Sequence, residues 1–245
     1  MNALDENTKE TLYRKWRRLG WDVDAEAYDG HVDPEETIVE TTHAGRHDDR
    51  LFEWLLTFTR NYWDLINIKK VLRLLDRADK PVLGAVFDIA MAHGATRNFR
   101  TITEKCGPYV KPQILFHKMG AFEGLRAQEI KNGLETYKKW GLYCTMMDFY
   151  EDAALRRREV LQKNPLLALR ALLGSNIRAE ILFFLEQQTG MAIQALARNI
   201  GYAYSAVYNE VLAMVKNGLV VEKPGRGHIL SLSEHIRQLL KVLPA

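Results

Sequence analysis

Apolar residues recur with a helical period through the first 160 residues of the chain. In the segment 48–63, for example, Leu51, Trp54 and Phe58 lie three and four positions apart. This spacing places apolar side chains along one face of an α-helix. No segment of this region shows the alternation of apolar and polar residues that indicates a strand. We therefore predict that residues 1–160 form an all-helical domain of about seven short helices, arranged as a bundle or an array.

Two less regular segments, 112–119 and 150–163, are also predicted to be helical. The second segment is rich in charged residues and is followed by Asn164 and Pro165. A residue that precedes proline is disfavoured in the helical conformation, so this helix should end there. We expect it either to connect two domains directly or to help the protein dimerise.

The pattern changes after residue 165. Three amphipathic helices are predicted over 176–190, 192–201 and 204–218, and each ends at a glycine. Two short β-branched runs then follow, joined by the turn sequence PGRG, which is typical of a β-hairpin. A final helix is predicted to follow the hairpin. The predicted fold class is therefore mainly α, with one small hairpin near the C-terminus.

This order of elements resembles the winged helix-turn-helix of ArsR- and MarR-type bacterial regulators. The segment ALARNIGYAYSAVYNEVLAMVKNGLVVEKPGRGHILSLS matches the family's usual run from second helix to wing. The resemblance covers roughly residues 170–245 and implies a winged helix-turn-helix domain over 161–245. It further implies a transcriptional regulator that binds double-stranded DNA, with a homodimer on a two-fold site.

The resemblance also implies which residues contact DNA. The third helix would enter the major groove, and the hairpin would reach a phosphate or the minor groove. Ser205 is expected to cap the helix or hold one phosphate, whereas the Asn209 amide can read a base. Related regulators more often carry Arg or Lys where this chain has Tyr208 and Asn209. The predicted contacts are Tyr204, Ser205, Tyr208, Asn209, Arg226 and His228.

Charge is distributed unevenly between the two predicted domains. The net charge of +3 divides into +4 for residues 161–245, with nine basic and five acidic residues, and −1 for the rest, with 25 and 26. A basic C-terminal domain is suited to a phosphate backbone. The alternative is a protein-interaction module, similar to an antitoxin or a scaffold partner, that uses the winged helix for docking.

Other candidate sites have simpler structural explanations. The histidines and aspartates in and near HAGRHDD could bind a metal if they all lay on one helix. However, Gly45 indicates a turn between them, and Asp48 or Asp49 is more simply explained as the cap of the next helix. The aromatic residues between Trp54 and Trp63 could line a ligand pocket or form core. The basic run RKWRR could contact phosphate, or pack through Trp16. The possible metal ligands are His31, His43, His47, Asp48 and Asp49.

The sequence contains no sign of catalysis. Nothing local pairs Cys106 or Cys144 with an imidazole such as His93 or His117, and no phosphate loop, nucleophile elbow or paired-carboxylate motif is present. We therefore predict no enzymatic activity, no metal and no cofactor. We predict a cytoplasmic protein without membrane contact. The N-terminal segment is polar, no apolar run is long enough to cross a bilayer, and the two cysteines have neither a metal-binding spacing nor a disulfide pattern.

Overall fold

The computed structural model describes residues 5–146, 148–152, 154–223 and 228–242, and the side chains up to residue 240. The protein is mainly helical and has a small antiparallel three-stranded sheet near the C-terminus, which confirms the predicted fold class. Within the described ranges, no helix has the length and apolar composition required to cross a bilayer. The chain divides into two compact units, Met1–Arg156 and Arg157–Ala245.

The first unit consists of short helices and one very short strand pair. Three 3-10 turns, at Trp63–Leu65, Leu75–Arg77 and Arg97–Phe99, join some of its helices. The strands β1 (Gln113–Ile114) and β2 (Leu142–Tyr143) pair in parallel. The α-helices of this unit are α1 (Glu6–Leu19), α2 (Pro34–Ala44), α3 (Asp49–Asn61), α4 (Ile68–Leu74), α5 (Lys80–Ala92), α6 (Arg100–Thr103), α7 (His117–Gly120), α8 (Glu123–Asn132) and α9 (Glu135–Lys138).

Aromatic side chains form much of the core of the first unit. Trp16 is fully buried, contacts Phe58 edge-to-face at 5.5 Å between ring centroids, and donates from Nε1 to Thr41 Oγ1. Trp54 and Tyr62 are buried as well, whereas Trp63 is 38% exposed. The aromatic cluster is therefore core rather than the wall of a pocket, and Trp16 anchors the basic helix α1 by packing.

Two segments of the first unit differ from the helical prediction. Residues 112–119 begin with strand β1, because the backbone of Gln113 and Leu115 bonds to Gly141 and Tyr143. Pairs of two residues are too short to produce an alternating sequence pattern. Residues 150–152 and 154–156 are not helical either, since the Leu155 N–H donates to the Gly20 carbonyl and Ala154 bridges to Trp21. The predicted helix 150–163 is therefore wrong over its first half.

The second unit contains six helices around a three-stranded sheet in the part of the chain that the structure describes. The strand order is β3-β5-β4, with both pairs antiparallel. Strand β3 was absent from the sequence prediction because it has only two residues. The elements are α10 (Arg157–Lys163), α11 (Pro165–Leu173), α12 (Ile177–Gln187), β3 (Met191–Ala192), α13 (Ile193–Asn199), α14 (Tyr204–Lys216), β4 (Val220–Lys223), β5 (Ile229–Leu232) and α15 (Glu234–Val242).

The buried face of α14 is defined by Val207, Val211 and Met214, which are all inaccessible to solvent. These positions are four and three residues apart, so they lie along one face of the helix. Leu212 follows Val211 directly and therefore points about 100° away from it. The Leu212 side chain is accordingly 45% exposed.

A buried ion pair joins α11 to α12. Arg170 Nε donates to Glu180 Oε1 at 3.0 Å, and Arg170 Nη2 donates to the same oxygen. Both side chains are completely excluded from solvent. Removing one member of such a pair leaves a buried charge without its partner, which is far more costly than removing both.

We expect Glu180→Ala to lower the free energy of opening of the second unit by about 3–5 kcal/mol, because Arg170 would remain buried and charged. The double variant Arg170→Met/Glu180→Leu should recover most of this loss. Amide hydrogen exchange in α12 measures the effect locally. Equal destabilisation by the single and double variants would contradict a role for charge pairing.

The boundary between the two units carries three consecutive exposed arginines, Arg156 to Arg158. Limited trypsin digestion should cut first at this run and leave a folded fragment from the second unit, since domain boundaries carry few crossing contacts. A cut at residues 162–165 is not expected, because Asn164 is buried. A first cut inside either unit would argue against two independently folded units.

Candidate functional site

A helix-turn-helix is formed by α13, α14 and the four residues between them. The N–H of Gly201 donates to the Arg198 carbonyl, and that of Tyr202 donates to the Ala197 carbonyl. Gly201 adopts φ +66°, a left-handed conformation that glycine tolerates without strain. Ile200 is fully buried in the unit's core. The turn therefore fixes where α14 begins.

The N-terminus of α14 has no side-chain cap. Ala203 occupies the capping position and cannot accept a hydrogen bond through its methyl group. The first N–H groups of a helix need partners, and together with the helix dipole they favour an anion. Ser205 is exposed in this first turn, and its hydroxyl does not cap the helix as the sequence analysis allowed. It is available to a ligand.

The outward face of α14 combines aromatic and polar side chains. The rings of Tyr204 and Tyr208 stack with centroids 5.9 Å apart and planes 20° apart. Tyr204 is 49% exposed, whereas Tyr208 is half-buried and packs on the core. Ser205 and Asn209 are both exposed and lie one helical turn apart on the same side. The structure thus brings these four predicted residues together.

The one carboxylate within α14 is neutralised by an arginine from α12. Glu210 Oε1 accepts from Arg178 Nε at 2.8 Å and from Arg178 Nη2 at 2.6 Å. An unpaired carboxylate on this helix would repel a phosphate backbone. The two residues lie 32 positions apart in the sequence, so no local pattern could have indicated the pair.

Exposed cations flank α14 on its neighbouring elements. Arg198 lies at the end of α13, three residues before Gly201, and Lys223 ends strand β4 at the hairpin. Both are exposed, and neither forms an ion pair within the described part of the chain. The sequence analysis did not consider these two residues because it was confined to the third helix and the hairpin tip.

Of the two hairpin residues predicted to contact DNA, Arg226 and His228, the structure describes only His228. Arg226 lies outside the described residues. His228 directly precedes strand β5 and adopts φ +51°, and its Nδ1 is paired with the Glu222 carboxylate on β4. This contact engages one side of the imidazole.

The alternative sites are not assembled among the residues that the structure describes. No group of three His, Cys, Asp or Glu side chains could hold a metal, and Asp48 instead caps α3 by accepting from the Arg50 N–H. Cys106 and Cys144 are free and buried, and burial raises the pKa of their thiols to about 11 and about 12. Both therefore stay protonated at neutral pH, unlike a thiolate nucleophile.

Comparison with protein-family models, curated proteins and solved structures finds no significant match to this chain.

Proposed function

We propose that the second unit is a winged helix that binds double-stranded DNA and that the protein is a transcriptional regulator. The observation that carries the proposal is the start of α14. An uncapped helix N-terminus there presents exposed Ser205 and Asn209 directly after a helix-turn-helix. A helix in this position fits the major groove, which is about 12 Å wide.

The charges around α14 also favour a phosphate backbone. Glu210 is neutralised by Arg178, while Arg198 and Lys223 are exposed on either side. Cations on the flanks would hold phosphates, and the helix itself would supply the base contacts. In this arrangement Ser205 holds a phosphate and the Asn209 amide reads a base.

We further propose that the regulator acts as a homodimer in the cytoplasm of a bacterium or archaeon. Two-fold DNA sites require two reading helices, so one winged helix would be paired with another. Exposed leucines on α11 and α15, Leu172 at 62% and Leu239 at 61%, are suited to a contact between copies.

A docking function for the same helix is the second candidate. Tyr204 and Leu212 are both large, apolar and about half exposed on α14. Aromatic and aliphatic side chains of this kind are the usual anchors of protein interfaces. In that case the winged helix would bind a protein partner through these residues, and Ser205 and Asn209 would lie at its rim.

Selection of binding sites from a random duplex pool separates these functions. The wild type should recover a motif, and Asn209→Ala should lose discrimination at one position, since a bidentate base contact is worth about 1–3 kcal/mol. Asn217→Ala is the matched control, because Asn217 is exposed at the other end of α14 and bonds to its own helix through Ala213.

The control should recover the wild-type motif unchanged. If Asn209→Ala also recovers that motif with equal stringency, Asn209 reads no base. If the wild type recovers no motif, the proposal of a sequence-specific regulator is wrong and the docking function takes its place.

A further inference from the structure

The first unit contains an open cleft of about 270 Å³ between β1, α7 and α8. Its polar lining comes from Arg46, Gln113, His117, Arg126 and Tyr143. None of the described residues that line it is acidic. A cleft with two guanidinium groups and no carboxylate is suited to an anionic ligand.

Arg46 holds one wall of this cleft in a fixed position. The side chain is 9% exposed and uses each of its five N–H groups in a hydrogen bond. Because Arg46 can only donate, Gln113 must turn its oxygen toward it, which leaves the Gln113 amide nitrogen as a donor for a ligand. The acceptors of Arg46 are the carbonyl oxygens of Leu115 and Ile114, Asp79 Oδ2, the Tyr109 hydroxyl and Gln113 Oε1.

Arg126 supplies the uncompensated charge of the cleft. Arg46 is neutralised by Asp79, with Nη1 and Oδ2 3.3 Å apart. Arg126 lies on α8, is exposed, and has no side-chain partner within the described part of the chain. An exposed arginine without a carboxylate can form a bidentate contact with an oxyanion.

His117 lies in the same wall of the cleft, and its pKa is affected by the positive charge there. Burial, followed by the charge of Arg46 and then by His47, lowers the pKa of the His117 imidazole to about 4. The ring is therefore neutral at physiological pH and retains one N–H donor. His47, whose ring centroid is 4.5 Å from that of His117, has its pKa lowered by burial and by Arg46 as well.

Apolar residues complete the lining. Ile130 lies one helical turn after Arg126 on α8, and Ile114 lies on β1. The two isoleucines would contact the carbon body of a ligand while its anionic group reaches Arg126. The volume is just below the range of about 300–1,000 Å³ that is usual for drug-sized ligands, so the ligand should be small.

We propose that this cleft binds a small organic oxyanion, a phosphate monoester or a carboxylate with a compact apolar body. Arg126 and the Gln113 amide nitrogen would hold the anionic group, and Ile114 and Ile130 would contact the apolar body. The site lies within the first unit, so the proposal does not depend on DNA binding by the second.

Isothermal titration calorimetry of the full chain with phenyl phosphate, benzoate and inorganic phosphate tests the proposal without DNA. At least one of the two aromatic anions should bind saturably and more tightly than inorganic phosphate. Tighter binding of phenyl phosphate identifies a phosphate site, and tighter binding of benzoate identifies a carboxylate site. Arg126→Gln should weaken that binding about tenfold or more, because the variant loses the charge-assisted hydrogen bonds to the anion.

Lys131→Gln is the matched control. Lys131 is exposed on the same helix, carries the same charge and does not line the cleft. The affinity of this variant for the aromatic anion should stay within about twofold of the wild-type value, because exposed charges at a distance are screened by salt. Absence of saturable binding by any probe, equal effects of the two variants, or equal affinity for inorganic phosphate and the aromatic anions would overturn the proposal.

Discussion

The buried ion pair between Arg170 and Glu180 is the constraint on which the second unit depends. Both side chains are buried, so separating Arg170 from Glu180 would leave each charge without solvent or a counter-charge, at a high cost in free energy. The pair fixes α11 against α12, and α12 also packs against α13, α14 and β5. The position of the presented helix α14 thus follows from that of α12.

A second ion pair, between α12 and α14, determines the net charge of the exposed face of α14. Arg178 lies two residues before Glu180 and reaches Glu210 on α14. Because the pair is partly exposed, its contribution to the stability of the unit is small. Its importance lies in the charge of α14, which becomes nearly neutral. Attraction to phosphate must then come from neighbouring elements, and Arg198 and Lys223 are placed to provide it.

The sequence predicted α12, α13, α14, the two hairpin strands and α15 because their signals are local, whereas it did not predict α11. The stripe of Val207 and Val211 and the glycine at position 201 determine the helix-turn-helix through residues that lie close together in the chain. Only the packed structure shows how wide the buried face of α14 is, and that face leaves Leu212 exposed. Strand β3 has two residues and no pattern of its own.

Long-range pairs explain most of what the sequence could not predict. The contact of Arg178 with Glu210 spans 32 positions, and that of Arg46 with Gln113 spans 67. Nothing in the spacing of these residues indicates their partners. The cleft of the first unit depends on such contacts, whereas the surface of α14 depends on one helix. For this reason the sequence pattern could indicate a candidate surface on α14, whereas it could not indicate the cleft.

Nuclear magnetic resonance of the full chain, titrated with duplex DNA, tests the central claim most directly. If the second unit binds DNA through α14, the largest changes in amide chemical shift should occur between Ala203 and Asn209, with smaller changes at Arg198 and Lys223 near the phosphates. Unchanged signals over residues 203–209 at saturating DNA would contradict the claim, whether or not other parts of the chain respond.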